Sequence, residues 1–118
     1  DEKKNRKLTI DRLEKKRQEI IEEVNKKPEN YLYHYYLGDV YLEMGLPAKA
    51  IVSFKEVIKL RPKNGKAHYQ LAKAYSRIND TFKAIRHISL ASRIFEAGLD
   101  LHWQTKANVF LLQLRERE

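Results

Sequence analysis

The sequence predicts an all-α domain of about six helices, arranged as antiparallel pairs stacked one on the next. Three observations carry that prediction. The marks of the stretch from Tyr31 to Asn64 return 34 residues later: Leu37 at Leu71, Gly38 at Ala72, Tyr41 at Tyr75, Gly45 at Asn79 and Ala50 at Ala84. A fixed period of that length signals stacked repeats, none of which can bury its apolar face alone. Only 4 Gly and 3 Pro in 118 residues leave few turns, so the helices must be long. Hydrophobic residues at 42% and charged residues at 34% suit helices with one buried stripe and one solvated face.

In chain order, residues 1–28 read as an N-terminal helix, a half-repeat or cap. Leu13, Ile20, Ile21 and Val24 share a side, with Ile10 a turn earlier and Arg17 interrupting the stripe. Asp11 and Glu14 have capping-box spacing, which predicts that the helix starts there. A free coiled-coil strand is the alternative reading. Pro28 ends the helix and lies 34 residues before Pro62, which puts it in register with the second helix of the next unit.

Residues 31–64 form the main repeat and 65–98 the next one. Asn30 and Asn64 stand at N-cap positions. The first helix runs from about Tyr31 to Met44, where Gly45 supplies the left-handed residue; Asn79 repeats that role after the helix at Lys66–Ile78. Pro47 and Asp80 open the following helices, the second at Thr81–Ala97 and closed by Gly98. Residues 100–118 are a C-terminal helix, again a half-repeat or cap, from about Leu101 to Arg117 with Trp103, Ala107 and Phe110 inward. Gly38, Ala50, Ala72, Ala84 and Ala91 occupy the close approaches between paired helices, and Tyr41, Phe54 and Tyr75 fill the gaps between units.

At 118 residues the chain is one domain by size. It begins at Asp1 without an initiator Met, as an excised or processed piece would. There is no apolar run long enough to span a bilayer and no apolar leader. The absence of cysteine excludes disulfides, thiolate catalysis and Cys-ligated zinc, and suits either side of a membrane. The net charge is +8, concentrated between Pro47 and Arg93, where eleven Lys/Arg face only Glu56 and Asp80. Such a balance favours acidic partners or plain solubility.

These residues resemble the tetratricopeptide repeat family. The main unit carries Leu37, Gly38, Tyr41, Gly45, Ala50, Phe54 and Pro62 at the family's signature spacing; the second keeps Leu71, Ala72, Tyr75 and Ala84 but has Ile88 for the aromatic and Glu96 for the proline. The last helix keeps Trp103, Ala107 and Phe110, with Lys106 at a usually apolar place. The resemblance implies a right-handed α-solenoid whose first helices line a concave groove for a peptide or helix of a partner, as in a scaffold or adaptor. It implies groove positions at Leu32, Tyr35, Asp39, Leu42 and Glu43, at Lys66, Tyr69, Lys73, Ser76 and Arg77, and at Leu101, Gln104, Asn108 and Leu111. Some family members clamp a carboxylate tail with a Lys/Asn/Arg set. Tyr35 and Asp39 fill the first two clamp places here, so chaperone-tail binding is not expected.

Within that frame Tyr35 and Tyr69 are candidate stacking groups for a peptide. Asp39 with Lys73, and Glu43 with Arg77, are expected to form inter-repeat ion pairs, leaving Lys66 as the clearest free cation. On the outer face Lys49, Lys59, Lys83, Arg86 and Arg93 make a basic stripe with no aromatic residue among them. That lack disfavours nucleic acid. The alternative function is therefore self-assembly, or recruitment to an acidic protein or a membrane surface through this convex stripe. The C-terminal helix, where Leu101, Val109 and Leu112 point away from the packed side, is expected to pack on something more: a following helix, a partner or, by self-association, a second copy.

His34 and His68 read as packing residues, and His87 and His102 lack a second ligand at metal spacing. No nucleophile elbow, phosphate loop or paired-acid motif is present. The expectation is a non-enzymatic chain with no cofactor and no metal.

Overall fold

Local chemistry sets the helix ends. Asn30 Oδ1 accepts from Leu32 N at 3.1 Å and Asn64 Oδ1 from Ala67 N at 3.0 Å, so both asparagines are N-caps. Asp80 and Asp100 do the same for Lys83 N and Trp103 N. In this computed structural model, which describes residues 1–117, six helices result: α1 (Glu2–Lys26), α2 (Tyr31–Glu43), α3 (Pro47–Leu60), α4 (Gly65–Arg77), α5 (Thr81–Ala97) and α6 (Leu101–Arg115). No strand occurs among the described residues. Each helix packs on its neighbours in sequence, and α2 also meets α4, so contacts run one way along a stack.

Three turns share one geometry. Leu46 N donates to Tyr41 O at 2.8 Å, Asp80 N to Tyr75 O at 2.9 Å and Asp100 N to Phe95 O at 2.8 Å. Each turn needs one residue with positive φ, and these are Gly45 at 75°, Asn79 at 63° and Leu99 at 57°. In the third, Gly98 closes α5 as expected, but the positive φ falls on a residue the sequence reading did not single out. Gly98 has φ −85° and caps α5 in an ordinary conformation, while the left-handed position falls one residue later, on a leucine. The other two connections, at Pro28 and Pro62, are closed by Asn30 N to Lys27 O and Asn64 N to Arg61 O. The α5–α6 turn is thus built like a turn within a pair, not like a junction between units.

The start of α1 also differs from expectation. Asp1 Oδ1 accepts from Lys4 N at 2.8 Å and begins the helix, so Asp11 lies mid-helix. Helix α1 has 25 residues against 13 in α2, and its first half overhangs. Leu13 is its one buried residue; Ile20, Ile21 and Val24 are half-buried, and Ile10 is 58% exposed. Arg17 bends back to Glu14 at 2.7 Å.

The core lies along the helix crossings. Phe54, Leu71, Ile88, Leu114, Val40 and Val57 are its largest fully enclosed side chains, and Ala50, Ala72, Ala84, Ala91 and Ala107 are fully buried. At Gly38 a Cβ would lie 2.6 Å from the Phe54 ring, so only hydrogen fits at the α2–α3 crossing. Gly65 meets Phe95 in the same way, also at 2.6 Å. Helix α6 buries Ala107 and Leu114 and packs Trp103, Phe110 and Leu111 on the core, while Leu101, Val109 and Leu112 remain exposed.

Candidate functional site

The first helix of each unit lies beside its counterpart. Helices α2 and α4 are in contact, and Tyr69 on α4 meets α6 through Trp103, at 5.4 Å between ring centroids, and Phe110, at 5.9 Å. Two depressions follow. One, of about 290 Å³, lies between α2 and α4 and is lined by Asp39, Leu42, Glu43, Gln70, Lys73 and Arg77. The other, of about 330 Å³, lies between α4 and α6 and includes Tyr69, Lys106, Val109 and Phe110.

Tyr35 is half-buried, its ring edge-on to Phe54 at 5.5 Å. Burial, helped by the negative charge of Asp39, pushes its phenol up to about 12. Burial likewise raises Tyr69. Leu32 is exposed; Leu42 belongs to the core, and its carbonyl accepts from Arg77 at 3.0 Å. Ser76 is buried and accepts a hydrogen bond from Arg117 at 2.6 Å. Gln104 is half-buried. Asn108 is exposed but turned to α5, where Ser92 donates to its Oδ1 at 2.6 Å.

The two expected ion pairs do not form. Asp39 accepts from Gln70 Nε2 at 2.6 Å instead of pairing with Lys73, and Glu43 faces Arg12 of α1 at 3.9 Å. Equivalent positions on adjacent helices are not opposite each other: Gln70 sits one turn before Lys73 and is the residue that reaches Asp39. Burial raises the Asp39 carboxyl, against the pull of Gln70 and Lys73. Burial lowers the Lys73 ammonium, with Arg77 and Lys106 adding to the effect. Lys66 is docked over Trp103 at 5.0 Å, and Lys106 lies over the same ring at 4.4 Å and over Tyr69 at 5.9 Å.

On the other side, Lys49 lies over Tyr41 at 5.9 Å and Lys83 over Tyr75 at 5.6 Å, one contact repeated in both units. Lys59, Arg86 and Arg93 are exposed, with no acid within 4 Å among the described residues. The sequence reading left out an exposed aromatic beside these cations: Phe82, next to Lys83 in the chain, is 79% exposed. The signal was available, since Phe82 precedes Arg86 by four residues on one helix.

Sequence reasoning also missed a histidine pair. His34 and His68 both lean on the proline junctions, their Nε2 atoms 2.7 Å from Pro28 O and 3.0 Å from Pro62 O. His87, read as isolated, places its Nδ1 3.1 Å from His68 Nδ1. A sequence separation of 19 gave no helical spacing to reveal this contact. Among the described residues no three His, Asp or Glu gather as a metal site, and no helix is long and apolar enough to cross a membrane.

The comparisons with known proteins agree with this architecture. Tetratricopeptide repeat family models match residues 31–64 and 53–86. PcrH, in complex with the chaperone binding region of PopD, superposes with TM-score 0.85 at 13% identity, over 95% of this chain and 85% of its own. The TPR2B domain of yeast Sti1, in a pHsp70 complex, gives TM-score 0.85 at 11% identity, over 97% and 91%. MamA from AMB-1 gives 0.70 at 26% identity; 75% of this chain matches about half, 53%, of MamA. No curated protein sequence matches the chain. With its repeats matched over residues 31–86 and the same fold throughout, the protein is a tetratricopeptide repeat protein.

Proposed function

We propose that the protein is an interaction scaffold that holds an extended peptide or a helix of a partner protein along α2, α4 and α6, without catalysing a reaction. The observation that carries this reading is the pair Tyr35 and Tyr69. They stand 34 residues apart on adjacent first helices, half-buried, with Tyr35 edge-on to Phe54 and Tyr69 edge-on to Trp103. Aromatic groups already held in place lose little entropy on binding. PcrH and Sti1, which share the fold, are seen in complexes with a region of PopD and with pHsp70. A double Tyr35→Ala/Tyr69→Ala variant tests the reading in a pull-down. Loss of the captured partner at unchanged melting temperature is expected, because aromatic anchors typically contribute about 2 kcal/mol or more each. Capture that survives these changes removes the groove.

A second reading places the contact on the outer face, and exposed Phe82 beside Lys83 and Arg86 is the observation that favours it. An acidic protein or an anionic membrane surface would suit that combination. Charge reversal at Lys83, Arg86 and Arg93 would then abolish binding, and added salt would mimic it.

A further inference from the structure

The three helices that face the groove divide their charge completely. Helix α2 holds Asp39 and Glu43 and has no Lys or Arg. Helices α4 and α6 hold Lys66, Lys73, Arg77, Lys106 and Arg115 and have no Asp or Glu. The acidic end is already answered, because Asp39 takes the Gln70 amide and Glu43 faces Arg12. The basic end is not. No acid lies within 4 Å of Lys66, Lys73, Arg77 or Lys106 among the described residues.

Three of these cations are held by other means. Lys66 and Lys106 rest over Trp103, Lys106 also over Tyr69, and Arg77 is tied to the Leu42 carbonyl. Side chains already fixed in this way give up little freedom when a carboxylate arrives. Lys73 is electrostatically frustrated: burial disfavours its ammonium, and Arg77 and Lys106 add to this against the pull of Asp39. An incoming negative charge relieves that frustration.

We infer that the groove is polarised, and that its α4–α6 half receives an acidic stretch of an extended partner peptide, with Lys73 and Lys106 as the principal contacts. The set differs from the tail clamp, whose first two places hold Tyr35 and Asp39 on α2. The inference rests on the groove reading above and adds the partner's chemistry and its direction: acidic residues over α4 and α6, uncharged or basic ones over α2.

A random peptide display library selected against the full chain tests both levels. Recovered peptides are synthesised with a fluorescent label, and their affinities are measured for wild type, Tyr35→Ala/Tyr69→Ala, Lys73→Glu/Lys106→Glu and the milder Lys73→Gln/Lys106→Gln. The expected result is enrichment in Asp and Glu, with about tenfold weaker binding to the Gln pair, a greater loss for the Glu pair, and weakening by salt. The Gln pair decides the matter if the reversed pair does not fold. Peptides that need Tyr35 and Tyr69 but show no acidic enrichment, or bind the Gln pair undiminished, overturn the polarity and leave the groove standing. Peptides indifferent to the tyrosine changes, or none recovered, overturn the groove reading and the inference with it.

Discussion

His68 Nδ1 and His87 Nδ1 stand 3.1 Å apart, and the direction of their hydrogen bond can be deduced. The Pro62 carbonyl can only accept, so His68 Nε2 carries a proton and the neutral ring presents a bare Nδ1. His87 Nδ1–H must then be the donor. Burial lowers His68, and burial, the charge on His68 and those on Arg86, Lys55 and Lys83 lower His87 to about 4. Tyr75 stacks on the other side of the His87 ring, at 5.5 Å. Burial thus favours the neutral form of both rings.

A pH dependence follows. Below the usual histidine value of 6.5 the unfolded chain takes up protons that the folded pair refuses, so stability falls as pH drops from 6.5 towards about 4. Above 6.5 both states are neutral and this effect vanishes. Ser53 occupies the equivalent place in the first unit and is buried without trouble. His87→Ser should therefore melt with a shallower loss over that pH range than wild type. Parallel curves for the two proteins would refute the assignment.

Gly38 offers a packing test. A side chain there drives into Phe54, so Gly38→Leu should cost roughly 1–3 kcal/mol or more in denaturant melts. Lys49→Leu loses only an exposed contact with the Tyr41 ring, about 0.5–1 kcal/mol. Equal midpoints for the two would remove the close crossing of α2 and α3.

Leu99 is a place where the chain can be improved. It is 85% exposed at φ 57°, so Leu99→Gly removes backbone strain and almost no packing. A gain of about 1 kcal/mol is expected. Gly45→Ala should do the reverse, although a Cβ there meets nothing within 4 Å, because φ is 75°. Calorimetry showing no opposite shift between these two variants would contradict the left-handed assignments.

The exposed row Leu101, Val109 and Leu112 bears on self-association. Sedimentation equilibrium should show mass rising with concentration, and Leu112→Glu should abolish that rise while leaving the melting temperature within a few degrees. A strict monomer at high concentration would mean that α6 does not recruit a second copy.

By itself the sequence determined the helix pairs, the caps at Asn30, Asn64 and Asp80, the positive φ at Gly45 and Asn79, and the small residues at the crossings. Those features are local or recur with the period, so they can be read along the chain. The tertiary structure decided which residues meet across helices. Gln70, not Lys73, reaches Asp39; His87 closes on His68; Lys66 and Lys106 settle on Trp103. Periodicity states which positions are equivalent, but the sliding and tilt of one helix against another depend on how side chains such as Phe54 and Phe95 fill the space between them. A shift of a single turn is enough to exchange an ion pair for an amide contact.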